Sequence, residues 1–112
     1  MISKDEHRKQ VARVREMLAG NRYFPAIGQI NDMKDYTPSD LIPELEILLK
    51  QAYSLGTEKE WERAQQFYSQ GKNAEALRTL DRVEKYAVHA GVSLPKGFSE
   101  FRSDLENAVT KT

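Results

Sequence analysis

The sequence contains no cysteine, which excludes disulfides, iron–sulfur clusters, thiol catalysis and zinc sites built on cysteine. It has no excess of either charge, because 17 Lys and Arg residues balance 17 Asp and Glu residues. A large nucleic-acid footprint normally needs a basic excess. It lacks both an apolar run of the roughly 18 residues that a membrane span requires and the apolar core of a signal peptide near its start. We therefore expect a soluble, cytoplasmic protein that does not bind a membrane.

Apolar residues are nevertheless frequent enough for a modest core, at 39% of the 112 residues. A chain of this length is expected to form one domain, here over residues 1–112. Its apolar positions recur with helical spacing almost throughout, and no stretch alternates cleanly enough to predict a strand. We predict an all-α domain of about six short antiparallel helices.

Turn and capping residues set the predicted helix boundaries. The segment 37–40 combines Thr, Pro, Ser and Asp, which end one helix and cap the next. Gly56 is predicted to end the third helix, and a capping box at 57–60 to begin the fourth. Because the third helix is apolar around most of its circumference, we expect it to be buried centrally. The six helices are predicted at about 3–19, 22–36, 40–55, 57–70, 73–90 and 96–110.

The chain carries an internal repeat at a spacing of 50 residues. A shift of this size places the first two predicted helices on the fourth and fifth without a gap. The match lies in the pattern of small, large and turn residues more than in identities. The matched pairs include Val14 with Ala64, Met17 with Phe67, Asn21 with Gly71, Ala26 with Ala76 and Ile30 with Leu80.

The second copy resembles a tetratricopeptide repeat. The family places a small residue, an aromatic, a turn glycine, an alanine and a large apolar residue at set spacings, which are here Ala64, Phe67, Gly71, Ala76 and Leu80. The two small residues allow the two helices to approach closely. The resemblance implies tetratricopeptide-like hairpins at about 7–40 and 57–90, an intervening helix at 40–55, and a capping helix at 96–110 that covers the last apolar face.

The first copy is a weaker match, although it ends in Pro38, where the family often has proline. There are also departures from the family pattern. Trp61 lies one place later than the family's tryptophan, and Arg63 occupies a position that is usually apolar. The copies are 50 residues apart instead of the family's about 34, because the helix at 40–55 intervenes.

Residues suited to catalysis are few. The two histidines match no known catalytic motif: His7 is expected to be solvated near the chain start, and His89 to lie at a helix C-terminus. Glu58 and Glu62 are four residues apart, but a metal site between helices needs ligands from several helices. We expect no catalytic residue, no cofactor and no metal site, and hence no enzyme.

The first predicted helix is basic, and the region at 31–48 is acidic. Arg8 and Arg15 are seven residues apart and therefore share a helix face, with Val11 and Leu18 close by. Charge complementarity within the protein would explain the two regions. A basic groove for an acidic protein ligand, or for nucleic acid, is the alternative explanation.

A second candidate surface lies on the fourth predicted helix, where Trp61, Gln65 and Tyr68 share one side. The tetratricopeptide resemblance implies that the first helix of each hairpin lines a concave binding face. The alternative is that Trp61 and Tyr68 are partly core, packed on the first or the last helix. The predicted partner-binding residues are Trp61, Gln65, Tyr68, Arg8, Val11, Arg15 and Leu18.

These features predict a small non-enzymatic protein–protein interaction module of the adaptor, chaperone or inhibitor type. Its partner would be a helix or a peptide held in a helical groove. The alternative is a small nucleic-acid-binding regulator that uses the basic N-terminal helix. A third hypothesis is self-association through the apolar faces, with a homodimer as the functional unit.

Overall fold

The computed structural model describes residues 3–110, and every regular element in that range is helical. The all-α prediction is therefore confirmed. The prediction of six helices is wrong, because the described chain forms five α-helices and one short 3-10 turn. These are α1 (Lys4–Ala19), α2 (Tyr23–Lys34), the 3-10 turn (Ser39–Leu41), α3 (Ile42–Ser69), α4 (Asn73–Ala90) and α5 (Phe98–Thr110).

The difference lies at Gly56, which was expected to end a helix. Instead α3 runs through it for 28 residues and joins the predicted third and fourth helices. A glycine inside a helix costs about 1 kcal/mol relative to alanine. A break would instead leave the backbone groups of two new helix ends to be capped, and Gly56 is itself buried. Continuation is the cheaper outcome for this segment.

The chain divides into two compact units, Met1–Leu55 and Gly56–Thr112, which we call the N-terminal unit and the C-terminal unit. Each unit has its own apolar core, and the prediction of a single domain stays a prediction. The N-terminal core comprises Val11, Val14, Ala26, Ile30, Met33, Leu45, Leu48 and Ala52. The C-terminal core comprises Ala64, Ala76, Leu80, Val83, Phe98 and Leu105.

The first part of α3 contributes one face to the N-terminal core and is not buried all round. Leu45, Leu48 and Ala52 are buried at spacings of three and four residues. Ile47, between them in sequence, is 60% exposed. The expectation of a centrally buried helix therefore holds for one stripe of this segment.

The turns of the two hairpins have the same hydrogen bonds. In the N-terminal unit, the N–H of Arg22 donates to the carbonyl of Met17 at 2.8 Å. In the C-terminal unit, the N–H of Lys72 donates to the carbonyl of Phe67 at 2.9 Å. Arg22 and Lys72 are 50 positions apart, as are Met17 and Phe67, so the sequence repeat extends to the local geometry.

The residue at the centre of each turn adopts a left-handed conformation. It is Asn21 with φ 61° in the first turn and Gly71 with φ 77° in the second. Left-handed backbone disfavours most side chains, and glycine and asparagine tolerate it best. This requirement explains why the 50-residue shift places Asn21 on Gly71. Among residues 3–110, no helix has the length and apolar character to cross a membrane.

Candidate functional site

A groove of about 380 Å³ runs beside α1 in the N-terminal unit, and we call it the α1 groove. Helix α1 forms one wall, and the 3-10 turn together with the start of α3 forms the other. Three predicted binding residues, Arg8, Val11 and Arg15, line this groove. The fourth from this helix, Leu18, is partly buried and packs on the N-terminal core instead. The full lining is Lys4, His7, Arg8, Val11, Ala12, Arg15, Asp40, Leu41 and Glu44.

Local sequence explains how α1 presents these side chains. Ser3 caps the helix, because its Oγ accepts a hydrogen bond from the N–H of Glu6 at 3.2 Å. Val11 and Val14 turn into the core. The same helical register brings Arg8 and Arg15 to the groove, where both remain exposed.

Charge in the α1 groove is divided by wall. Lys4, Arg8 and Arg15 lie on the α1 side, whereas Asp40 and Glu44 lie on the opposite side. The two walls meet at Glu44, which has one oxygen 3.8 Å from His7 Nε2 and the other 3.8 Å from Arg15 Nη2. These contacts are too long for hydrogen bonds. Arg15 and Glu44 thus form an ion pair, and the His7 ring lies beside the same carboxylate.

His7 is the residue that sequence reasoning placed wrongly, since it is 3% exposed and not solvated. Neither of its ring nitrogens has a hydrogen-bond partner in the part of the chain that the structure describes. The signal was present in the sequence. His7, Val11 and Val14 follow spacings of four and three, so the apolar stripe of α1 continues back to His7.

The floor of the groove is apolar, formed by Val11, Ala12 and Leu41. Its volume falls at the lower end of the range of about 300–1,000 Å³ that small-ligand sites occupy. A space of this size accommodates a few side chains of a partner. An apolar floor between charged walls would fix both the depth and the orientation of what enters.

The second predicted surface lies in the C-terminal unit and contacts α5. The ring of Trp61 lies 5.8 Å from that of Phe98 and 5.2 Å, edge to face, from that of Phe101, measured between centroids. The ring of Tyr68 lies 5.3 Å from Phe101. These contacts correspond to the alternative in which Trp61 and Tyr68 pack on the last helix.

Part of this surface nevertheless remains accessible in the C-terminal unit. Tyr68 is 45% exposed, and Gln65 is also exposed. Trp61 is half-buried beside the C-terminal core. That these three residues bind a partner stays a prediction.

No protein-family model, curated protein or solved structure matches the chain. The tetratricopeptide resemblance therefore depends on the residues of the two hairpins alone. Ala64 and Ala76, the two small residues of that pattern in the second hairpin, are both fully buried.

Arg102 joins α5 to α4 and was not singled out from the sequence. Its Nη2 lies 2.5 Å from Asp81 Oδ1, its Nη1 contacts Glu84, and its Nε donates to Glu106 at 3.1 Å. The hydrogen bond to Asp81, with further support from Glu106 and Glu84, raises the pKa of Arg102. The guanidinium is thus held in its charged form while it links three carboxylates.

A buried carboxylate in the C-terminal unit is paired with two arginines. Glu60 is buried, and it lies 3.6 Å from Arg82 Nη1 and 4.0 Å from Arg63 Nη1. The Arg63 guanidinium also sits 5.4 Å from the centre of the Phe67 ring. Arg63 therefore covers an aromatic ring while it balances a buried carboxylate.

Within residues 3–110 no group of three or more His, Asp or Glu side chains is arranged to hold a metal ion. The acidic residues of the two units are instead found in ion pairs with arginine or on exposed helix faces. The site best developed in the described chain is the α1 groove, with its buried His7.

Proposed function

We propose that this chain is a non-enzymatic protein-binding module whose N-terminal unit holds a segment of a partner protein in the α1 groove. The observation that carries the proposal is the groove itself, which combines an apolar floor with one basic and one acidic wall. Protein-recognition sites combine an apolar centre with a polar rim in this way. The identity of the partner would determine whether the module serves as an adaptor, a chaperone or an inhibitor.

The hairpin architecture supports this proposal as a tetratricopeptide-like arrangement. Ala64, Ala76 and Leu80 are fully buried where the family places its small and large core residues. The matching positions Ala26 and Ile30 in the first hairpin are fully buried too. In such an arrangement the first helix of each hairpin lines the binding face, and α1 does line the groove.

A protein segment fits this groove better than nucleic acid does. Asp40 and Glu44 would repel a phosphate backbone, and Arg15 is already in contact with Glu44. A peptide can present both charges and an apolar residue at once. The nucleic-acid alternative predicts affinity that falls steeply with salt, which the same binding assay can measure.

Selection of random peptides displayed on phage tests the proposal directly. We expect peptides selected on the wild-type protein to bind the Arg8→Ala/Arg15→Ala double variant about tenfold or more weakly, because the variant loses the charge of Arg8 and leaves Glu44 without its pair at Arg15. The matched control is Lys9→Ala/Arg13→Ala, which removes two exposed charges of the same helix outside the groove. Equal loss in both double variants, or no enrichment of any peptide, would contradict the proposal.

The same selected peptides test the residues of the C-terminal unit. Gln65→Ala and Tyr68→Ala should weaken binding if this face also contacts the partner, as the sequence predicts. Circular dichroism and thermal unfolding of each variant separate a lost contact from a lost fold. Unchanged affinity would confine the partner site to the α1 groove.

A further inference from the structure

The most unusual polar group in the described chain is the imidazole of His7. It is 3% exposed, it lines the α1 groove, and neither ring nitrogen has a hydrogen-bond partner among residues 3–110. Buried polar groups are normally hydrogen-bonded, so each exception needs an explanation. An imidazole ring always carries at least one N–H that can donate a hydrogen bond. The contacts of His7 do not fix which of its two nitrogens carries that hydrogen.

The charges near His7 indicate what would accept that hydrogen bond. Arg8 has one ion pair in the described chain, at 3.8 Å from Asp5 on its own helix, and both side chains are almost fully exposed. Such a pair contributes little and is readily given up. Lys4 has no ion pair among the described residues. Two cations of the groove are thus available beside a buried donor.

The overall balance of the groove favours one more negative charge. Lys4, Arg8 and Arg15 face Asp40 and Glu44, so one additional carboxylate would balance the charges of these five side chains. Glu44 does not oppose this strongly, because Arg15 lies 3.8 Å from its carboxylate and partly neutralises it. Arg15 is thus paired across the groove with Glu44, whereas Arg8 pairs with Asp5 on its own exposed helix face and Lys4 has no ion pair among the described residues.

We propose that the α1 groove binds an acidic side chain of the partner segment, with its carboxylate bound by Arg8 and Lys4 and, once the buried ring of His7 turns toward the groove, by a ring N–H of His7. This inference rests on the proposed function and names the chemistry that the partner must present. The residue beside the acidic one would be apolar and would contact the floor of the groove at Val11 and Leu41.

The experiment uses the full chain and two capped amino acids as probes, N-acetyl-glutamic acid α-amide and N-acetyl-glutamine amide, at matched ionic strength. Imidazole ring signals in nitrogen–proton NMR spectra provide the readout. The chain has two histidines, and His89 lies at the C-terminal end of α4 in the other unit, so it serves as an internal control. The glutamate probe should shift the His7 ring signals saturably, the glutamine probe should not, and His89 should stay unchanged.

Variants separate a built site from general attraction. Arg8→Gln should weaken binding of the glutamate probe about tenfold, the loss expected for one charged hydrogen bond. Arg13→Gln removes the same charge from an exposed position of α1 outside the groove and should change affinity less than about twofold at this ionic strength. Equal effects of the two variants, or equal shifts with both probes, would overturn the inference.

Inorganic phosphate is the third probe and tests the nucleic-acid alternative. If phosphate shifts the His7 signals at lower concentration than the glutamate probe, the inference of a carboxylate site is overturned. The inference and the proposed function also fail separately. If selected peptides bind the groove but share no acidic position, the proposed function stands and the inference of a carboxylate site fails. If the glutamate probe binds saturably but no peptide can be selected, the carboxylate site stands and the proposed function fails.

Discussion

Each unit contains a helical hairpin and a further helical segment that packs on it, the start of α3 in the N-terminal unit and α5 in the C-terminal unit. The two units differ in how that segment contacts the hairpin. In the C-terminal unit, α5 closes on aromatic rings and is linked to α4 by Arg102. In the N-terminal unit, the start of α3 meets α1 at the Glu44 contacts and leaves a groove. The same hairpin therefore packs on its further helical segment through aromatic rings in one copy and leaves the α1 groove in the other.

Side-chain size at equivalent positions accounts for the difference. Trp61 in the C-terminal unit corresponds to Val11 in the N-terminal unit, and Tyr68 corresponds to Leu18. The large rings of Trp61 and Tyr68 fill the space up to Phe101. The smaller Val11 leaves room beside α1, and that room is part of the groove.

The largest expected effect comes from Phe98→Ala, which removes a buried ring of α5 in the C-terminal unit. Phe98 is buried and contacts Trp61, so its truncation should lower the free energy of unfolding by about 3–5 kcal/mol. Chemical unfolding followed by the fluorescence of Trp61, the sole tryptophan, measures the loss. Phe24→Ala is the matched control, because Phe24 is 74% exposed and its truncation should change stability by less than about 0.5 kcal/mol. Equal effects would mean that the rings do not hold α5.

Much of this architecture was readable from the sequence. Helical periodicity and capping residues predicted the all-α class and the turns, and the 50-residue shift predicted that Asn21 and Gly71 play the same part. The continuity of α3 was not predictable from Gly56 alone. Whether a helix passes through a glycine depends on packing on both sides of it, and a local pattern does not report that packing.

The site was predictable in part, for a related reason. The face shared by Arg8, Val11 and Arg15 follows from helical spacing within α1. Its opposite wall at Asp40 and Glu44 comes from a distant segment, so no local pattern could place it there. The burial of His7 could have been predicted, because His7 continues the apolar stripe of Val11. Its position near the chain start suggested solvent exposure instead.

Substitutions at the two equivalent turns should have a smaller effect. Gly71→Ala should lower the free energy of unfolding by about 1–2 kcal/mol, the cost of left-handed backbone in a residue with a Cβ. A Cβ at this position would meet no atom within 4 Å, so backbone strain is the sole cost. Thermal unfolding measures the change.

Asparagine provides the matched control for both turns. Gly71→Asn should lose less stability than Gly71→Ala, because asparagine tolerates this conformation. Asn21→Ala should cost about 1 kcal/mol for the same reason, given its φ of 61°. A difference between the turns larger than about 1 kcal/mol would break the equivalence of the two hairpins.

The last expected effect has the opposite sign and concerns His7, which lines the α1 groove. His7→Leu should raise the free energy of unfolding by about 1 kcal/mol, since an apolar group of similar size no longer leaves buried nitrogens without hydrogen bonds. The same substitution should abolish binding of the glutamate probe. Thr79→Val in the C-terminal unit is the control. Its buried hydroxyl donates to the carbonyl of Glu75 at 2.8 Å, so its loss should not stabilise the protein. If His7→Leu instead lowers stability, the imidazole is a structural group, and its lack of a hydrogen-bond partner no longer argues for a ligand in the α1 groove.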